Sequence, residues 1–295
     1  MLSVVFVCAP LRGQDLAGLR ARIDARITAA PARAVGLYFR DLATGDSLLV
    51  GAQVRFHAAS TMKVPVMIQL YRDRDAGRLS LDDSIPVTNT FHSIVDSSTY
   101  RLDKADDSDS LLYGRVGGKA SIRELVELME TVSSNLATNL LIARVGASRA
   151  NATAHALGAD SILVLRGVED GKAYRAGLNN TTTARDLGVL LAAIAQDRAA
   201  SPASCREMLA ILGRQQFNEG IPAGLPAGTR VYHKTGWVGG LVYHDAAIVE
   251  GPAGRRYVLV VLTGGIEKSE DAHRLVSDLS RMVWEGSRGV AGSRR

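Results

Sequence analysis

Strand-like sequence at both ends of the chain, with helical sequence between them, is the feature that most limits what this protein can fold into. Residues 34–40 and Ser47–Val50 are short and apolar or β-branched, and Thr44-Gly45-Asp46 separates them as a hairpin turn would. Three further strand-like runs, 229–235, 242–250 and 256–263, are joined by Gly239-Gly240 and by Gly251-Pro252-Ala253-Gly254. From Ser60 to about Thr229 the signals are almost wholly helical. Ser121-Ile122-Arg123-Glu124 forms a capping box, Thr183 precedes an acidic first turn at Asp186, and Ser201-Pro202 puts proline at a first helical position. Amphipathic helices are expected at 15–30, stopped by Pro31, and at 269–284. The two ends then make one α/β lobe, 15–59 with 229–295, carrying an antiparallel sheet with flanking helices. The middle, 60–228, makes an all-α lobe, and the two together form a single catalytic domain over 15–295 with its site in the cleft between the lobes.

Composition narrows the function classes. With 295 residues, 46% hydrophobic, 22% charged and 8 prolines, the chain can bury a sizeable core. The formal charge of +5 is scattered among acidic residues, and without a basic block there is no expectation of a nucleic-acid partner. Two cysteines, Cys8 and Cys205, exclude a disulfide scaffold, and the six histidines lack the spacing of metal ligands. Residues 2–9 are apolar and end at Pro10, so 1–14 resemble the end of a secretory signal peptide lacking its basic start, with a buried first strand as the alternative. No apolar run approaches the roughly 20 residues that cross a bilayer, so no stable membrane insertion is expected.

Three short motifs carry the chemistry. Ser60-Thr61-Met62-Lys63 opens an apolar helical stretch, which sets a hydroxyl and an amine one turn apart on one face. A serine becomes a nucleophile only when a neighbour takes its proton, and a lysine does so only when burial or nearby positive charge lowers its pKa. Ser133-Ser134-Asn135 lies between helical runs, where a hydroxyl and an amide can face a pocket. Lys234-Thr235-Gly236 lies at the expected end of a strand, where a cation and a hydroxyl can hold a carboxylate and the glycine lets a substrate approach the backbone. Each has an ordinary reading alone: a helix cap, a turn and a strand end. Their order and context together are specific.

This set resembles the serine β-lactamase and penicillin-binding protein superfamily, and among its members the class A β-lactamases, over nearly the whole chain after residue 14. The resemblance implies a two-lobe β-lactamase-like fold and a hydrolase opening a β-lactam through a Ser60 acyl-enzyme. In it Lys63 accepts a proton and Ser133 relays one to the leaving nitrogen. Asn135 holds the substrate's side-chain amide, Lys234 and Thr235 hold its carboxylate, and the backbone N–H groups of Ser60 and Trp237 form the oxyanion hole beside Gly236. Glu169, in Arg166-Gly167-Val168-Glu169, activates the deacylating water, and the run from Asn179 to Thr183 resembles that loop's exit.

Three positions depart from the pattern: Ser134 replaces an aspartate, Ala173 an asparagine, and Trp237 a small residue. An esterase or DD-peptidase with slow β-lactam release, or a non-hydrolytic penicillin-binding sensor, therefore stand as alternatives. The Asp- and Ser-rich stretch at 91–120 is expected to be a solvated insertion, or else a lid offering Tyr100 or Tyr113 to the substrate. The resemblance further implies no cofactor and no metal, a small β-lactam or acyl substrate, a monomer, and a periplasmic or secreted location.

Overall fold

A five-stranded antiparallel sheet is built from both ends of the chain, in the order Ser47–Val50, Ala34–Asp41, Arg256–Gly264, Val242–Glu250, Arg230–Val238. The computed structural model describes residues 13–251 and 254–288, so the leader at 2–9 and Pro252-Ala253 lie outside the described residues. Ala34 pairs with Gly264 and Val242 with both Gly264 and Val238, so the first strand joins strands more than 200 residues away. The hairpin turn closes as the sequence implies, with the Asp41 carboxylate accepting from the backbone N–H groups of Ala43 and Thr44.

The strands Val242–Glu250 and Arg256–Gly264 are buried along almost their whole length rather than at alternate positions, because helices cover both faces. Gly13–Thr28 and Ser269–Arg288 pack on one face, where Leu19, Ile23, Leu275 and Leu279 meet Leu37, Leu259 and Val261. Ala184–Ala195 packs on the other, bringing Leu187, Leu190 and Leu191 against Val258, Val260 and Ile248. That second core continues into the helices Ile122–Thr131, Asn135–Val145, Ala147–Ala156 and Pro202–Leu212, which surround the helix Lys63–Asp75. Ten residues of the Lys63–Asp75 helix are buried, on all its sides, as befits the centre of a helical group.

All three expected caps form: Ser121, Thr183 and Ser201 accept from the backbone N–H groups of Glu124, Asp186 and Ser204. Two expectations need correction. The middle is not wholly helical, since Ser84–Pro86 pairs with Lys119–Ser121, Phe91–His92 with Thr99–Tyr100, and Phe56–His57 reaches across to Thr181–Thr182. These pairs are two or three residues long, too short to carry a period. The last-motif strand also continues past Gly236 to Val238, because Gly236 and Trp237 pair with His244 and Tyr243 instead of turning away. Among the described residues no helix is long and apolar enough to cross a membrane.

Leu259 is fully buried at the centre of the sheet, whereas Leu49 is 45% exposed on the edge strand. Leu259→Ala should lower the unfolding free energy in urea by about 2–5 kcal/mol, and Leu49→Ala by under about 0.5 kcal/mol.

Candidate active site

The serine of the first motif sits on a strained turn. After Phe56–His57 the backbone N–H of Ala58 donates to the Asn180 carbonyl, and Ala59 adopts a left-handed φ of 46°. Such a conformation costs a side-chain-bearing residue about 1–2 kcal/mol. It is held by Ala59 N–H donating to His57 Nδ1 (3.1 Å) and by the Thr61 hydroxyl donating to the Ala58 carbonyl (2.6 Å). One 3₁₀ turn, Ala59–Met62, then delivers Ser60 to the start of the Lys63–Asp75 helix. The Arg230–Val238 strand lies directly against this turn: a Cβ on Gly236 would stand 3.1 Å from Ser60 N and from Thr61 N. Glycine at this position therefore lets strand and serine turn meet without one giving way, a reason nearer the backbone than the substrate access inferred from sequence.

Two fully buried lysines converge on one hydroxyl. Lys63 Nζ donates to the Ser133 carbonyl (2.7 Å), to Ser133 Oγ (3.1 Å) and to Asn135 Oδ1 (3.0 Å). Lys234 Nζ donates to the same Ser133 Oγ (3.0 Å) and to the Thr235 carbonyl (3.0 Å). The two nitrogens are thus no more than about 6 Å apart, where two unit positive charges repel by about 3 kcal/mol at an effective dielectric constant of 20. Burial pushes the Lys63 ammonium well below the ordinary lysine range, and Lys234 adds to the effect, while Asp107, Glu130 and Glu169 oppose it. Accepting from two ammonium groups uses the lone pairs of Ser133 Oγ and leaves its O–H free to donate.

Ser133 is itself left-handed, with φ 60°. Ser134, which replaces the aspartate of the resembled pattern, is fully buried and caps the Asn135–Val145 helix by accepting from Ala137 N–H. Its side chain serves the helix, so this departure does not alter the cleft.

Asn135 bridges lysine and glutamate. Its Oδ1 accepts from Lys63, and its Nδ2 donates to Glu169 Oε1 at 2.7 Å. The helix start that carries it is held by Asp107, whose carboxylate accepts from the backbone N–H groups of Asn135 (2.9 and 3.0 Å) and Leu136 (2.8 Å). The Tyr113 hydroxyl donates to the same carboxylate. Ser93 Oγ and Ile94 N–H donate to Asp170, and the Tyr100 hydroxyl donates to the Val168 carbonyl. The stretch at 91–120 is mostly exposed, as expected of a solvated segment, but Ser93, Ile94, Tyr100, Asp107 and Tyr113 within it brace the asparagine and the glutamate loop.

Glu169 comes from a loop pinned at both ends. The Asn180 side chain accepts from Leu165 and Arg166 N–H and donates to the Arg166 carbonyl. Arg166, itself buried, donates to the Leu178 carbonyl and to Asn179 Oδ1. Asn139 accepts from Val168 N–H (2.7 Å) and donates to its carbonyl (3.0 Å). Gly167 fits only because it has no side chain, since a Cβ there would collide with Asn139 Oδ1. Glu169 is left-handed at φ 61° and its side chain is exposed at the cleft. Partial loss of water around the carboxyl raises it above the ordinary glutamate value; the Asn135 hydrogen bond opposes the shift and Asp107 supports it. Ala173 is fully buried, so the fourth position after the glutamate offers no polar group to a water.

A cleft of about 310 Å³ is lined by Ser60, Asn135, Glu169, Tyr174 and Trp237 among others, and the Trp237 side chain stands 61% exposed at its rim. Lys63, Ser133, Lys234 and Thr235 are buried. Tyr100 and Tyr113 take no part in the lining. Among the described residues no group of His, Cys, Asp or Glu is placed to hold a metal ion.

The profile of the β-lactamase enzyme family matches residues 18–286. The chain belongs to that family. A β-lactamase of Amycolatopsis lactamdurans is 27% identical over 93% of this chain and 84% of its own. One of Rhodobacter capsulatus is 33% identical over 130 residues, which are 44% of this chain and only 39% of that protein. Among solved structures, PBP-A is 30% identical, with a TM-score of 0.79 over 92% of this chain and 96% of its own. A variant of PBP-A, solved as its acyl-enzyme complex with penicillin G, superposes with the same score. The fold is that of the serine β-lactamases, and this family member is a hydrolase of the serine β-lactamase type.

Asp107 is the residue whose removal should separate bracing from chemistry. Asp107→Ala frees two backbone donors at the Asn135 helix start and should cost about 1–3 kcal/mol of unfolding free energy, measurable by urea denaturation, with a loss of activity that exceeds the loss of folded protein.

Proposed function

We propose that this family member is a class A-type β-lactamase that forms an acyl-enzyme on Ser60 and hydrolyses it with Glu169. The observation that carries the reading is the hydrogen-bonded path from Lys63 through Asn135 to Glu169, beside a serine seated at the start of a buried helix. In acylation the Ser60 oxygen attacks the lactam carbonyl and its proton passes to the lowered-pKa Lys63. The ring C–N bond then breaks, and Ser133 donates its proton to the leaving nitrogen and recovers one from Lys63, which returns to its neutral form. Lys234 and Thr235 hold the substrate carboxylate, Asn135 its side-chain amide, and the N–H groups of Ser60 and Trp237 the oxyanion. In deacylation Glu169 takes a proton from water, the water oxygen attacks the ester, and the proton returns to Ser60 as its bond to carbon breaks. The protein acts as a secreted or periplasmic monomer on a small substrate, without cofactor or nucleic acid.

A second reading, an esterase or DD-peptidase that releases β-lactams slowly, is favoured by one observation: Ala173 gives the water of Glu169 no polar partner. A chromogenic cephalosporin assay with intact-mass detection separates the two. Rapid turnover supports the β-lactamase, whereas a persistent adduct on the wild-type protein points to the second reading. Ser60→Ala should abolish both adduct and turnover. Glu169→Gln should still acylate and then slow release by about 100- to 10,000-fold, the range for loss of a general base. Because the Glu169 carboxyl is raised, release should fall as the pH drops through that raised value, above the pH at which an ordinary glutamate would cause the loss.

A further inference from the structure

Three residues before Ser133, the hydroxyl on which both lysines converge, stands a buried carboxylate that none of the three motifs includes. Glu130 ends the Ile122–Thr131 helix one turn before Ser133 and is 1% exposed. Among the described residues neither of its carboxylate oxygens has a hydrogen-bond partner. Its backbone is fixed, with Gln215 Nε2 donating to its carbonyl at 2.7 Å and Gln216 N–H donating to the carbonyl of Thr131. A carboxylate stripped of water and of hydrogen bonds is expensive, and an apolar side chain would fill the position at less cost. What offsets it is charge: the two cations acting on Glu130 are Lys63 and Lys234.

We propose that Glu130 is a positioning residue for acylation, an anion sealed behind the Ser133 turn that sets at what pH Lys63 gives up its proton and Lys234 keeps its own. The inference rests on the Ser60 acylation reading above. Burial drives Lys63 and Lys234 toward the neutral form and Glu130 toward the protonated form, so the three groups share fewer charges than they could carry in water. The other groups acting on this trio are Asp107 and Glu169, which favour the charged form of Lys63, and Asp245, which favours that of Lys234. All three lie on other elements, and among the described residues Glu130 is the anion acting on both lysines. An ionised Glu130 lets Lys234 stay charged for a substrate carboxylate while Lys63, with Lys234 beside it, is the group that releases its proton.

The test is the pH profile of acylation, followed by intact mass with penicillin G on the full chain. Removing the anion lowers both lysine pKa values. In Glu130→Gln the acid limb, where Lys63 must be neutral, and the alkaline limb, where Lys234 must be charged, should therefore both move toward acid by about half a unit or more. Glu130→Asp keeps the charge and should keep both limbs. A role in packing alone would lower the melting temperature and the maximal rate with the limbs in place, and that result overturns the proposal. A wild-type protein that penicillin G never acylates overturns both the proposal and the reading it rests on, which tells the two failures apart. If Glu130→Gln does not fold, infrared spectra of ¹³C-glutamate-labelled Glu169→Gln protein decide the matter. A protonated glutamate band that persists at the pH of fastest acylation overturns the proposal, and its absence supports it.

Discussion

Ser133 Oγ is the point on which the site depends, because two buried lysines from different parts of the fold both donate to it. Lys63 comes from the central helix and Lys234 from an edge strand of the sheet. A hydroxyl that accepts from both ties the helical group to the sheet through a polar contact in a region that excludes water, where an unmatched charge would be costly. The geometry around it follows. Ser133 is left-handed where it meets both nitrogens, Ser134 caps the helix that follows, and Asn135 at that helix start touches both Lys63 and Glu169.

Strain is concentrated where these elements meet. Among the described residues five non-glycine positions have positive φ, and three of them, Ala59, Ser133 and Glu169, adjoin or carry groups of the site. Each is fixed by contacts from another element: His57 and Asn180 around Ala59, Lys63 at Ser133, Asn139 and Asn135 beside Glu169. Conformations of this cost persist only when the surroundings over-determine them.

The sheet from both chain ends, the caps and the three motifs were legible in the sequence because each leaves a local trace: short apolar or β-branched runs between turn residues, a Ser or Thr before a helix, a fixed spacing. Asp107, Asn139 and Glu130 were not, since their partners lie across the fold and no period links them. The stretch at 91–120 is largely solvated, as its composition implies, but a few of its polar groups are not. Its aspartates and serines look solvated, yet Asp107 faces inward to satisfy the backbone donors of a helix start, and Ser93 donates to the loop at Asp170. Gly236 misled in the opposite sense: glycine reads as a strand break, but here it permits the strand to lie flat against the Ser60 turn. Composition cannot tell a polar residue facing water from one facing a backbone, or a breaker from a contact.

The pairing of Phe56–His57 with Thr181–Thr182, together with the bond from Ala58 N–H to the Asn180 carbonyl, has a consequence for how the site can adapt. The nucleophile turn and the exit of the glutamate loop share one backbone seam, so the loop cannot swing outward without dragging the serine with it. On the proposed reading, the exposed Trp237 ring at the cleft rim, rather than the tied Glu169 side, is the wall that adapts to a bulkier acyl group. Breadth of substrate would then depend on that aromatic rim, with the serine turn and the glutamate loop held along one seam.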